Sequence, residues 1–118
     1  MKVLGTFILL LALAVPTVSH AADMMRWDAE RDRVDASIET WTVPQLLRRV
    51  SAITGWQVLI EPGIDDKISA RFKDKSSGEA LQRLLGKLNF ALAPDTNGNS
   101  KLYVFRTSRA EATETIAP

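Results

Sequence analysis

Of the 14 Asp and Glu side chains, Glu39, Glu61, Asp65, Asp66, Asp74 and Glu79 are the candidates for acid–base chemistry. A glycosidase would bring two of them together across a cleft, one as proton donor and one as base or nucleophile. Their surroundings point elsewhere. Glu79 stands three residues after Ser76, the place of a capping-box carboxylate, and Asp65-Asp66 follows Pro62-Gly63 in a stretch with turn composition. Serine chemistry lacks its usual base, because the only histidine is His20, near the amino terminus. The absence of cysteine excludes thiol catalysis, disulfides, thiolate metal sites and lipid attachment to an N-terminal Cys. Glu61 with Asp65 and Asp66 lacks the alternating ligands and the glycine of a calcium loop. Gly63, Gly78, Gly86 and Gly98 are too scattered to form a phosphate cradle. The expectation is a protein that is not an enzyme and carries neither metal nor cofactor.

Recognition chemistry remains. Trp41 follows Glu39 in outward phase at the end of a strand pattern, and exposed Trp is enriched in binding hot spots. The competing arrangement folds Trp41 over Pro44 as a helix staple. Tyr103 and Phe105 alternate with Leu102 and Val104, so their strand has two apolar faces. One face meets helices; the other must meet solvent, Trp27 from the N-terminal segment, or a partner. Asp35 and Glu39 on one strand, and Lys67 and Arg71 on another, point outward beside a sheet edge open to strand addition by a partner chain. Arg48 and Arg49 read as a solvated helix face, Trp56 as core, and Trp27 as folding back on the core.

Charge and hydropathy bound the class of partner. The chain of 118 residues has 15 Lys and Arg against 14 Asp and Glu, too even for affinity built on phosphate neutralisation. Met1-Lys2, the apolar run Val3–Val15, the Pro16 break and Ser19-His20-Ala21-Ala22 have the order of a cleaved export signal. The run is about 13 residues, short of the roughly 20 that span hydrocarbon. Cleavage after Ala21 or Ala22 removes Lys2 and His20, leaving 14 basic and 14 acidic residues. The expected product is a periplasmic protein with no transmembrane span.

The elements that must position these side chains follow from periodicity. Val34–Thr40 alternates as a half-buried strand. Thr42, Pro44 and Gln45 open a helix whose apolar stripe is Leu46, Leu47, Val50 and Ile53 and whose left-handed cap is Gly55. Trp56–Ile60 is a second strand, and Lys67–Lys73 a third with Ile68, Ala70 and Phe72 inward. Ser76 to Glu79 is a second capping box, before a helix with Leu81, Leu84, Leu85 and Leu88 on one face and Asn89 as its cap. Phe90–Ala93 and Leu102–Arg106 form a hairpin across an Asn97-Gly98 turn. The domain boundaries are a signal peptide over 1–22, an N-terminal arm over 23–33, a folded domain over 34–107 and a flexible tail over 108–118. The fold class is α+β, in the order β-α-β-β-α-β-β.

Thr42-Val43-Pro44-Gln45-Leu46-Leu47, with Thr54-Gly55 closing the helix and Val58-Leu59-Ile60 running into Glu61-Pro62, resembles the first half of the secretin and TonB N-terminus short domain. Lys67–Phe72, Glu79-Ala80-Leu81 and Leu84-Leu85 before the last hairpin look like its second half. The resemblance covers roughly 34–107. It implies two helices between a two-stranded and a three-stranded sheet, the first strand pairing with the third and the second joining the hairpin. Opposite charges across the first and third strands, worth about 0.2–1 kcal/mol per pair, agree with that pairing. In secretins and TonB-dependent transducers this domain precedes a membrane barrel; pore formation is not carried over to the present chain. The implied function is a protein-interaction module that docks to a secretin-like or TonB-linked envelope assembly, in the periplasm and peripheral to the outer membrane. The partner would be engaged through a strand edge or aromatic face bearing Asp35, Glu39, Trp41, Lys67, Arg71, Tyr103 and Phe105. The alternative is a free-standing periplasmic binder of a small ligand or a cell-wall fragment.

Overall fold

Two helices and two sheets give an α+β sandwich. The computed structural model describes residues 22–95 and 99–118. The signal expectation, Ala22 apart, and the Asn97-Gly98 turn fall outside them. The strands are β1 (Met24–Asp28), β2 (Arg33–Ile38), β3 (Gln57–Ile60), β4 (Ala70–Lys75), β5 (Asn89–Pro94), β6 (Ser100–Phe105) and β7 (Glu114–Ile116). The helices are α1 (Val43–Thr54) and α2 (Ser77–Leu85), and a short 3-10 turn covers Arg109–Glu111.

One sheet has the order β1-β2-β4, antiparallel throughout. The other has the order β5-β6-β3-β7, with β3 parallel to β6 and antiparallel to β7. The pairing of the first expected strand with the third, and of the second with the hairpin, is therefore present as β2–β4 and β3–β6. Each sheet gains one strand beyond expectation. The segment 23–33, read as an arm for its charge, contributes β1: its apolar Met25 and Trp27 alternate with Met24, Arg26 and Asp28 and point to the core. The segment 108–118, read as a flexible tail, contributes the 3-10 turn and β7, with Ile116 buried opposite Val58. Two or three apolar residues are too few to stand out as a period, yet enough to close a sheet that is already there.

Local rules govern the helix ends. Thr42 Oγ1 accepts the Gln45 N–H at 3.4 Å while Gln45 Oε1 accepts the Thr42 N–H at 2.8 Å, a complete capping box with Pro44 in the first turn. Gly55 adopts φ 77° and ends α1, a conformation that an L side chain would strain. The buried stripe of α1 is Val43, Leu46, Leu47, Val50 and Ser51. Ile53, expected in that stripe, is 44% exposed, and Ser51 takes the inward place because its hydroxyl donates to the Trp56 carbonyl at 2.9 Å. At α2, Ser76 Oγ accepts the Glu79 N–H at 3.3 Å, but the Glu79 carboxylate does not complete a box. It faces Arg83 and Lys75, where opposite charges attract it more strongly. Gly86 ends α2 at φ 57°, so Asn89 is free to begin β5 rather than cap the helix.

The helices supply the middle of the sandwich. α1 lies against β3 and β7, and α2 against β2 and β4. Val34, Ile38, Leu46, Leu47, Val58, Ile60, Leu81, Leu102 and Val104, all buried, join one cluster that spans both sheets and both helices. Trp27 from β1 meets Trp56 edge-on at 5.6 Å and 88°, a contact that ties the first sheet to the end of α1. Both rings pack against the core, as the sequence reading expects.

The β7 strand offers a direct test. Ile116→Ala is expected to lower stability by about 2 kcal/mol or more, the cost of emptying a buried aliphatic site. Urea unfolding measures it; a change within about 0.5 kcal/mol is what a surface tail would give.

Candidate interaction surface

The expected site residues part into separate places. Glu39 and Arg71 meet at 3.5 Å beyond the end of β2, both well exposed. Lys67 pairs by backbone with Thr42 in an isolated bridge, flanked by Val43 N–H to Asp66 C=O and Ile68 N–H to Trp41 C=O, each 2.8 Å. The third strand thus starts at Ala70, not at Lys67, because the chain bends at Glu39 and Thr40 and breaks the ladder. Lys67 instead lines a groove of about 260 Å³ with Arg83 and Lys87 at the end of α2.

Asp35 is committed to the fold. β4 bulges opposite Val34 and Ala36, with Asp74 in left-handed geometry at φ 55°, and the Asp35 carboxylate accepts the Asp74 N–H at 2.8 Å. It lies in a charged depression with Arg26, Arg33 and Asp74 on the outer face of that sheet. β2 is central in its sheet, so strand addition along it is closed off by β1 and β4.

Tyr103 and Phe105 sit on the outer face of the other sheet, beside Leu59 and Ala91 in register. Trp27, one of the covers anticipated for that face, is not there, and the face stays partly open to solvent. The Arg109 guanidinium lies 4.3 Å over the Tyr103 ring, so the returning C-terminal segment supplies the cover, and Tyr103 and Phe105 are both half-buried. Trp27 is on the opposite side of its strand's sheet, in the core.

Three carboxylates work as clamps between distant segments. Asp23 accepts the N–H groups of Glu39 at 2.9 Å, Thr40 at 2.6 Å and Trp41 at 3.0 Å, together with the Thr40 hydroxyl at 2.7 Å. Desolvation pushes its pKa up, but the Thr40 hydroxyl and the three N–H groups outweigh that and hold it below the usual aspartate value. Asp32, at φ 56° in the β1–β2 turn, accepts the Ser77 N–H at 3.1 Å at the start of α2. Hydrogen bonds from the Ser77 hydroxyl and N–H lower its pKa. Glu61 accepts the N–H of Thr107 at 2.9 Å and of Arg106 at 3.1 Å and the Thr107 hydroxyl at 3.1 Å. The Thr107 N–H leads in lowering its pKa against desolvation, helped by Arg106 and the Thr107 hydroxyl. Arg106 also reaches both oxygens of Asp66 at 2.8 Å. Asp66 thus faces a guanidinium, and Glu61 faces main-chain N–H groups and a hydroxyl.

Trp41 lies at the centre of the most distinctive surface. It precedes the α1 cap, half-buried against the core, and the Arg49 guanidinium stacks 4.3 Å from its ring centroid. With Gln45, Arg48, Ala52 and Pro118 they line a depression of about 330 Å³. Among the described residues neither Arg48 nor Arg49 has an ion pair. Both arginines are exposed, as the solvated-face reading expects; the stack of Arg49 on Trp41 is what that reading leaves out. The signal was present as spacing: 45, 49 and 52 follow Trp41 by 4, 8 and 11 residues, one stripe of a helix that begins beneath the indole. Among the described residues no cluster of three or more acidic or histidine side chains could hold a metal, and no helix is long and apolar enough to cross a membrane.

No family model, curated protein or solved structure matches the chain.

The clamps predict an acid limb. Each carboxylate has a folded-state pKa below its unfolded one, so the unfolded chain binds more protons as the pH falls. Their contribution is complete above the ordinary carboxylate range, about pH 4, and is lost as the pH drops through the lowered values. Urea unfolding between pH 7 and pH 2 should show that decline, and Asp23→Asn with Glu61→Gln should flatten it. Parallel acid limbs for the wild type and the double variant would contradict the clamp assignment.

Proposed function

We propose that this protein is an exported, non-catalytic interaction module that docks to a secretin-like or TonB-linked assembly of the cell envelope, as an accessory of secretion, transport or signalling. The observation that carries the reading is the Trp41–Arg49 stack beside Arg48, an aromatic anchor with two cations that lack carboxylate partners among the described residues. Trp and Arg are the residues that most often dominate binding energy, and uncompensated charge at a rim steers encounter with an oppositely charged partner. The composition supports the rest. Export follows from the leader pattern in 1–22, and the described residues contain neither His nor Cys to act as base, nucleophile or soft metal ligand. The strand order, with β2 beside β4 and β3 beside the β5–β6 hairpin, agrees with the resemblance to the secretin and TonB N-terminus short domain.

The free-standing binder of a small ligand or cell-wall fragment is the second reading, and the same depression favours it, since a planar ring flanked by guanidinium groups suits an anionic ligand.

Cross-linking in the native envelope, with the captured chains identified, separates the two. Capture of a secretin-like or TonB-linked component is expected, reduced about tenfold or more by Arg48→Glu with Arg49→Glu, since rim charge reversal acts on association. Both substitutions are at exposed positions, so circular dichroism should remain that of the wild type. Equal capture by the variant, or no envelope component, would overturn the docking assignment. Saturable quenching of Trp fluorescence by an anionic cell-wall fragment would then establish the alternative.

A further inference from the structure

Sheet edges invite pairing with another chain unless they are short, charged, bulged or covered. Among the described residues the two sheets have four edges, and three of them are defended. β1 carries Arg26 and Asp28, β4 carries Arg71, Lys73, Asp74 and Lys75 and is bulged, and β7 is three residues long. β5 is different. Asn89–Pro94 contains no charged residue and pairs with β6 over six residues without a register break.

Its open side can be read residue by residue. Asp95 donates its N–H to the Asn99 carbonyl at 2.7 Å, in the same register as the β5–β6 ladder. Alternation along an antiparallel pair then turns the main-chain groups of Ala93, Ala91 and Asn89 toward β6, and those of Phe90, Leu92 and Pro94 toward the open edge. Pro94 has no N–H, and it stands where the ladder to β6 does not need one. Leu92 adds a second anomaly. It is opposite Leu102, on the core side of the sheet, yet Leu102 is fully buried and Leu92 is 39% exposed. The sheet extends past its helical cover there.

We propose that the occupant of this edge is a second copy of the chain, the two β5 strands running antiparallel about a two-fold axis with Leu92 opposite Leu92. In that register each Leu92 N–H meets the Leu92 carbonyl of the other copy, and each Phe90 N–H meets the other Pro94 carbonyl. The side chains agree: the core-side row Phe90, Leu92, Pro94 reads Pro94, Leu92, Phe90 in reverse, so an apolar group faces an apolar group at every position. Each Leu92 covers the other where the helices do not. Residues 22–118 have 14 basic and 14 acidic side chains, so no net charge holds two copies apart. No charge on β5 selects a different partner, and two-fold dimers are the commonest homo-oligomers. The edge is independent of the Trp41 surface and of the envelope docking proposed for it.

Sedimentation equilibrium of the purified protein tests this. The wild type is expected at the dimer mass, dissociating on dilution in the micromolar range as suits a small interface. Leu92→Lys alone and Leu92→Glu alone are each expected to weaken association about tenfold or more, because the axis sets like charges directly opposite. Mixing the two variants restores the dimer. Matching circular dichroism of the variants shows that the fold is retained. A wild type that stays monomeric at millimolar concentration would overturn the proposal. So would dimerisation undiminished in the single variants, or a mixture that remains monomeric.

Discussion

The strand that follows α1 does not return to the sheet from which the helix came. β2 enters α1, but β3 joins the opposite sheet and pairs in parallel with β6, more than forty residues later in the chain. β4 then crosses back to pair with β2, and β5 crosses again. Neither sheet can be completed before the other, and the two helices, 12 and nine residues long, are too short to hold without both. The parallel β3–β6 pair is the link on which this interlock depends. It brings Glu61 to Arg106 and Thr107, and from there the chain can return along the free side of β3 as β7.

A fold so interlocked and without disulfides still has to secure its loose segments. It does so with carboxylates that accept main-chain N–H groups where the ladders end. Asp23 gathers the three N–H groups left unpaired where the chain bends after β2, Asp32 sits at the start of α2, and Glu61 takes those after β6. A carboxylate in such a place satisfies several donors at once and is stabilised in its charged form by them. Among the described residues the exposed Arg48 and Arg49 have no carboxylate partner, and Arg49 stacks on Trp41 instead, which gives that surface its character.

The same economy shapes the edges. The segments that add β1 and β7 cover β2 and β3, the strands that would otherwise lie open, and they place charge or brevity at the new borders. Among the described strands only β5 is left plain, with Leu92 beyond the reach of the helices. The two surfaces proposed for recognition, a charged aromatic helix face and an uncharged strand edge, differ in the kind of chain each can accept.

The capping box at Thr42, the Gly55 stop, the alternation of Val34, Ala36 and Ile38 and the β5–β6 hairpin were legible because each depends on neighbours within a few residues. So was the α+β class, since two amphipathic helices among short strands admit few other packings. What only the tertiary structure decided has long-range causes. Glu79 chose Arg83 and Lys75 over its own helix start, and Ile53 gave way to Ser51 because a carbonyl at Trp56 was waiting for a hydroxyl. Asp35 was drawn into a bulge, and Arg109 came from a supposed tail to cover Tyr103. Segments 23–33 and 108–118 became strands for the same reason. A strand of three to five residues has almost no periodic signature of its own, and its stability comes from an edge that exists only after the rest of the chain has folded.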